Sequence, residues 1–396
     1  MAVTDDRSRD DPSTSAAAPV PAGYRTDVQA LRAVAMVVVL LCHFWPALLI
    51  GGYVGLDVFF VISGFLITAQ LDRELRRTGS IRLTRFYARR VRRLLPAATV
   101  VLLFCVVVTF LVLPPARWPG TAREVVASAT YWENWVYAAH PVVDYLELSP
   151  VAHFWSLSIE EQFYVVLPLT LLVLFRLRRR AAQVTGIAVV GAVSLAYSAY
   201  YTHVSPYQAY FDTFARVWEF AVGALIALTG GKLVLGRLAA GLASATGLAL
   251  VLLAAVAFDD RTPFPGVAAL LPTAGAALVI VSGNRPGRQW HTAVSASRPV
   301  QFFGDITYSV YLWHWPLLLM APFVLGVSVW DGSMGTGQRL GVLGVSVALG
   351  AVSKICVEDP GRTSTTLTRR PKVTFAVGLG CTAVTLLAAT ALHLAR

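Results

Sequence analysis

Two ionisable residues, Arg32 and His43, sit inside the first long apolar run of the chain, VQALRAVAMVVVLLCHFWPALL. On a helix, eleven residues return to nearly the same face, about 16 Å further along the axis. That rise is roughly half the hydrocarbon thickness of a bilayer. An ionised side chain at such depth is disfavoured by at least about 2.5 kcal/mol on insertion scales, so it needs a cavity or a partner. The pair therefore reads as two stations on one polar passage. Arg32 supplies a guanidinium that can hold an anion, and His43 an imidazole whose reference pKa of about 6.5 lets it take a proton at neutral pH. In the alternative reading, Arg32 snorkels to the headgroups and His43 caps a neighbouring helix.

Further ionisable residues lie in or beside apolar runs: Asp57, Glu160, Glu161, Asp212, Arg216, Glu219, Asp305, His314, Lys354 and Glu358. Most should line a shared interior rather than face lipid. A carboxylate such as Asp57 or Glu160 could orient the His43 ring and stabilise its imidazolium, in the manner of a general base with a fixed partner. His314, in YLWHWP, competes for the role of base, although its flanking tryptophans favour a packing or interfacial position. Arg216 and Glu219, three residues apart, can pair on one helix face as a structural ion pair. The run RLTRFYARRVRRLLP brings Arg85, Arg89, Arg92 and Arg93 within two or three helical turns. Such a cluster either anchors on anionic headgroups or grips a phosphorylated cofactor.

The elements that must position these residues are membrane helices. Of 396 residues, 56% are hydrophobic and 14% charged, and the mean hydropathy is +0.62; an ordinary soluble domain is far less apolar. Eleven apolar runs begin near residues 28, 53, 94, 160, 184, 210, 233, 266, 304, 338 and 373, which predicts an all-α polytopic protein of about eleven spans. The basic segments fall in alternate connections (RELRRTGSIRLTRFYARRVRR, RLRRR, GGKLVLGR, NRPGRQWHTAVSASR and DPGRTSTTLTRRPK), while the others carry only Arg117, Arg123, Arg261 and Arg339. The positive-inside rule then places the N-terminus in the cytoplasm, with Arg32 toward the cytoplasm and His43 toward the outer half. It also assigns the net charge of +11 to the lipid bilayer rather than to nucleic acid. Residues 1–23 read as a disordered cytoplasmic leader. Cys42, Cys105, Cys356 and Cys381 lie in apolar runs without CxxC spacing, so they read as small hydrophobes, and no metal is expected. The connection from about 114 to 150, with YWENWVYAAHPVVDYLELSP, reads either as an outward-facing lid or sugar platform or as an aromatic belt on the bilayer. Richness in Ala, Val, Arg and Gly points to a high-GC genome and a bacterial cytoplasmic membrane.

Seven ordered segments resemble the membrane-bound acyltransferase family 3. They are YRTDVQALRAVAMVVVLLCH, GGYVGLDVFFVISGFLIT, FYARRVRRLLPA, HFWSLSIEEQFYVVLP, RVWEFAVGAL, FGDITYSVYLWHWPL and VEDPGR, spanning residues 24–362. The remainder, 363–396, reads as a cytoplasmic loop and a final span. The resemblance implies transfer of an acyl group, commonly acetyl, from cytoplasmic acyl coenzyme A to a hydroxyl of a glycan, glycolipid or secondary metabolite. It implies that His43 is the essential histidine, supported by Glu160 or Asp57, and Arg32 the essential arginine. Arg89, Arg90, Arg92 and Arg93 would serve the donor end, and Glu161, Trp155, Tyr308, Trp313 and His314 are the candidates for acceptor contact. One departure is local: many relatives read Asp-Gly before Leu-Arg, whereas this chain has Gln29 and Ala30, leaving Asp27 as the nearest carboxylate to Arg32.

The chemistry expected from this likeness is deprotonation of the acceptor hydroxyl by His43 and direct attack on the thioester, with a covalent acyl-histidine as the variant. Many relatives carry a further SGNH-type esterase domain. None is expected here, and Asp305 in FGDI is not read as part of one, so transfer would be completed within the membrane domain or by a separate protein. A homo-oligomer is compatible with the sequence. The rival class is a proton-coupled secondary transporter or lipid flippase, with His43 and the carboxylates as a relay.

Overall fold

The structure, a computed structural model, describes residues 25–140, 148–177, 179–229, 233–284 and 292–395. The leader and part of the 114–150 connection lie outside the described residues. The rest is helical, with no strand among the described residues. Helix α1 spans Thr26–Phe44, and after a 3₁₀ turn at Ile50–Val54 come α2 (Gly55–Thr78) and α3 (Leu83–Val112). Then follow α4 (Trp118–Ala129), α5 (Glu133–Ala139), α6 (Phe154–Phe175), α7 (Arg180–Val204), α8 (Pro206–Phe211) and α9 (Val217–Thr229). The chain continues through α10 (Arg237–Ala257), α11 (Leu270–Ser282), the short α12 (Thr292–Ser295) and α13 (Arg298–Leu325). Helix α14 (Thr336–Ser353) passes through a π-helical stretch, Lys354–Glu358, into α15 (Asp359–Thr363), and α16 (Thr365–Arg369) leads to α17 (Pro371–Leu394).

Each of the eleven apolar runs forms a helix, and the chain is an all-α polytopic membrane protein. Among the described residues, nine segments are long and apolar enough to cross a membrane. The other two, α9 and α11, have 13 residues each and rise only about 20 Å, short of a hydrocarbon core of about 30 Å. Burial sorts the long helices. The apolar window of α2 is 78% buried, that of α13 67% and that of α1 56%, against 22% for α7 and α17. Thus α1, α2 and α13 form the centre, and they carry Arg32, His43, Ser63 and His314.

Close packing at the centre depends on two glycines. A Cβ on Gly64 of α2 would meet the Phe220 backbone of α9, and one on Gly223 would meet the Val61 carbonyl and Phe65 amide of α2. Small residues of this kind let membrane helices approach backbone to backbone. Beside them, the Phe220 ring stacks on Phe60 at 4.7 Å and on Phe163 at 4.1 Å. We expect Gly64→Leu to destabilise the fold by about 3 kcal/mol or more, seen as a lower thermal midpoint in size-exclusion assays of detergent extracts; an unchanged midpoint would contradict this packing.

Two segments depart from the sequence reading. The 114–150 connection is not an irregular loop over most of its described length. It folds into α4, which packs on α3 and α17, and α5, which packs on α6 and α8, with Glu133 and Asn134 inaccessible to solvent. The turn between them reaches inward: the Tyr131 carbonyl accepts from Gln162 Nε2 at 2.9 Å, two turns along α6. Irregular backbone at such depth persists where protein rather than lipid surrounds it. The run near 210 is also interrupted, at residues 212–216, between α8 and α9. There Ser194 Oγ donates to the Phe214 carbonyl at 2.6 Å and accepts from the Trp218 amide at 3.0 Å, and Asp212 accepts from the Ala215 amide. The freed backbone groups of the break thereby find partners.

Candidate active site

His43, in the last turn of α1, meets His314, at the middle of α13. Its Nδ1 lies 2.9 Å from His314 Nε2, and His314 Nδ1 lies 2.7 Å from the Tyr311 carbonyl oxygen. The carbonyl can only accept, so His314 Nδ1 carries a hydrogen. In a neutral His314 ring Nε2 is then the acceptor, and His43 Nδ1 must donate to it. This assignment leaves His43 Nε2 as an unprotonated lone pair, with no hydrogen-bond partner among the described residues. The two rings lie nearly in one plane, 12° apart with centres at 5.1 Å, as an in-plane N–H···N bond requires, and the Trp315 ring meets His43 edge-on at 5.1 Å. Trp315 is itself fixed by its Nε1 donating to the Ser149 carbonyl at 3.0 Å. A base oriented by a second group that is itself anchored is the arrangement a general base requires.

No carboxylate among the described residues hydrogen-bonds the His43 ring; the buried His314 takes the place the sequence reading gave to Asp57 or Glu160. Asp57 instead pairs with Arg216 at 3.0 Å, and Arg216 with Glu219 at 2.8 Å, all three inaccessible. The Arg216 guanidinium lies over the rings of Phe60, Tyr210 and Phe264. The i, i+3 pair expected from sequence is thus present, with Asp57 as its third member. Glu160 accepts from the hydroxyls of Ser63 and Tyr164.

Around Arg32 lies a cavity of about 330 Å³ whose walls include Arg90, Arg93, Glu160, Glu161 and Tyr308. Arg32 is held by Gln29 Oε1 at 3.1 Å and Thr307 Oγ1 at 2.8 Å. The residue that departs from the family pattern therefore supplies support through its amide, whereas Asp27 is engaged by Arg25 at 2.7 Å. Of the basic stretch, Arg90 lies over the Tyr164 ring at 4.6 Å and Arg93 is 3.8 Å from Glu358. Arg89 and Arg92 do not line this cavity; Arg89 lies 3.9 Å from Glu74. Arg73 and Gln70 do line it. They were missed in the sequence, although Leu56, Phe60, Ser63, Ile67, Gln70 and Arg73 make a stripe at helical spacing on α2.

A second cavity of about 1150 Å³ contains His43, His153, Trp155, Tyr53 and Tyr210 on its walls. Asp259, Asp260 and Asp331 line it as well, with Arg339, whose guanidinium already bonds the Met334 and Phe44 carbonyls. Among the described residues only Leu56 and Tyr311 line both cavities, so these two form the boundary, or neck, between the spaces. Trp313 belongs to neither. Its Nε1 donates to Ser353 at 2.7 Å and its ring packs on Phe104, a structural position. Asp305 pairs with Lys354 at 3.1 Å. The cysteines are free, and among the described residues no group of three or more His, Cys, Asp or Glu is placed to hold a metal ion.

Comparison with known proteins adds an independent line. The acyltransferase domain family matches residues 25–353. The O-acetyltransferase OatA of Staphylococcus aureus is 30% identical over 312 residues, covering 75% of this chain and 51% of that protein. BcsY of Komagataeibacter xylinus, named as a putative membrane-bound transacylase, is 31% identical over 346 residues, covering 86% of this chain and 84% of that protein. The chain thus spans about half the length of OatA. No solved structure matches it.

Proposed function

The chain belongs to the membrane-bound acyltransferase family 3, and from that premise we propose that it is a membrane O-acyltransferase that moves an acyl group from acyl coenzyme A to an acceptor hydroxyl, with His43 as general base. The observation that carries this reading is the relay from the Tyr311 carbonyl through His314 to His43, which leaves a lone pair beside the neck between an arginine-lined and an aromatic cavity. The distribution of basic connections supports a cytoplasmic N-terminus in a bacterial cytoplasmic membrane. The arginine-lined cavity is then the inner one.

In this reading the donor's phosphates rest at the inner mouth on Arg73, Arg90 and Arg93, with Arg32 further in, and the uncharged pantetheine arm brings the thioester up to the neck. Charge-assisted contacts of this kind are the strong ones. An acceptor hydroxyl from the aromatic cavity gives its proton to His43 Nε2 as its oxygen attacks the thioester carbon. As the tetrahedral intermediate collapses, the carbon–sulfur bond breaks. The proton on His43 goes to the leaving thiolate, so the ring is neutral again after each turnover. His314 would orient the ring in the reactive tautomer and accept no proton itself.

Purified protein in detergent, given acetyl coenzyme A and a hydroxyl acceptor, should release thiol and acylate the acceptor without any ion gradient. A transporter of the rival class would release none. Because His314 acts on His43 only through the ring hydrogen bond, we expect His314→Ala to lower kcat by about 10- to 100-fold and His314→Gln, which keeps an acceptor, to lose less. Equal losses for the two variants would argue against a role through that bond.

A further inference from the structure

The inner cavity, the neck and the base account for the donor, but one buried imidazole is left unexplained. His153 precedes α6 and is only 4% exposed, yet it lies on the wall of the aromatic cavity. Neither of its ring nitrogens has a hydrogen bond of normal geometry, the backbone of Leu312 being the polar group beside it. Its ring is fixed on three sides, edge-on to Phe154 at 4.9 Å, to Tyr311 at 5.4 Å and to His314 at 5.8 Å. Its own backbone carbonyl accepts from the Tyr311 hydroxyl at 2.9 Å, which ties the residue to the neck. A buried polar group without a partner is costly and rare, and at the wall of a large cavity it indicates a ligand group that completes it.

His43 and His153 flank the same His314 ring, so both present imidazole edges to one space. Trp155 and Tyr210 line the same cavity with ring centres 4.8 Å apart, flat apolar surfaces suited to the C–H face of a ring. We propose that His153 is an acceptor-binding residue that hydrogen-bonds a second hydroxyl of the acceptor while the first is delivered to His43, so that the enzyme selects polyols over single alcohols. This inference rests on the acyl-transfer reading and adds the class of acceptor. A monohydroxyl acceptor would leave His153 without a partner, and a site built to pair a hydroxyl discriminates against the analogue that lacks it.

The test uses the purified full chain in detergent with acetyl coenzyme A and two acceptors of one shape, trans-1,2-cyclohexanediol and cyclohexanol, with thiol release and product mass as readouts. For the unmodified protein, kcat/KM should favour the diol by about tenfold. In His153→Ala that preference should fall to the twofold expected from having two hydroxyls, through a KM raised several-fold more for the diol than for cyclohexanol. His153→Gln, which can still hydrogen-bond, should recover part of the preference, a result that misfolding would not produce. The inference is overturned if the unmodified protein does not prefer the diol, if His153→Ala keeps the preference, or if the variant slows both acceptors equally. If the unmodified protein releases no thiol with either acceptor, the acyl-transfer reading itself fails.

Discussion

Substituting His43 by Ala is expected to lower kcat for acyl transfer by about 10³-fold, the middle of the range for loss of a positioned general base. The step needs a lone pair beside the thioester, and the ring fixed by His314 offers one at His43 Nε2. His314 cannot replace it, since its Nδ1 is bound to the Tyr311 carbonyl and its Nε2 already faces His43. Donor binding should persist, because the arginine-lined cavity does not include His43. Calorimetric titration with acetyl coenzyme A would separate the two effects: affinity kept, turnover lost. A well-folded His43→Ala protein turning over at a rate near that of the parent would remove His43 from the chemistry.

Arg32→Ala should act on the other substrate. A hydrogen bond to a charged group contributes about 1.5–3 kcal/mol, so losing the guanidinium should weaken acyl coenzyme A binding by about 10- to 100-fold. Arg32→Lys would keep the charge but not the fork that reaches Gln29 and Thr307 together, and it should fall in between. The pH dependence of kcat should not move, because His43 keeps its partner. If donor affinity is unchanged while kcat falls, Arg32 acts on the transition state and not in recruiting the donor.

Local pattern made the helices legible. Every apolar run became helical, the one near 210 as two pieces, and the Arg32 and His43 spacing survived because α1 is unbroken from Thr26 to Phe44. Partners contributed by distant elements were hidden. His314 lies 271 residues from His43, and its tryptophan neighbours look the same in sequence whether the ring packs or orients a base. Asp57 looked free to serve the histidine because nothing local showed that Arg216, 159 residues away, would claim it. The α4–α5 segment was read as a connection because a 12-residue helix is too short to register as a span. In the basic stretch the residue types were informative, yet only the facing of α3 separates Arg90 and Arg93, which reach the cavity, from Arg89 and Arg92, which do not.

The neck at Leu56 and Tyr311 has a consequence for the cell's energetics. In the proposed orientation, a cavity opening to each face of an energised membrane is one constriction away from being a channel, and a leak of protons there would dissipate the gradient on which growth depends. An apolar side chain at a constriction expels water, and fixed positive charges on the approach repel cations. Leu56 lines both cavities, and Arg32, Arg90 and Arg93 line the inner one. In the proposed reaction, the place where the thioester meets the hydroxyl would thereby also serve as an insulator, through which an acyl group is handed across while the membrane stays electrically tight.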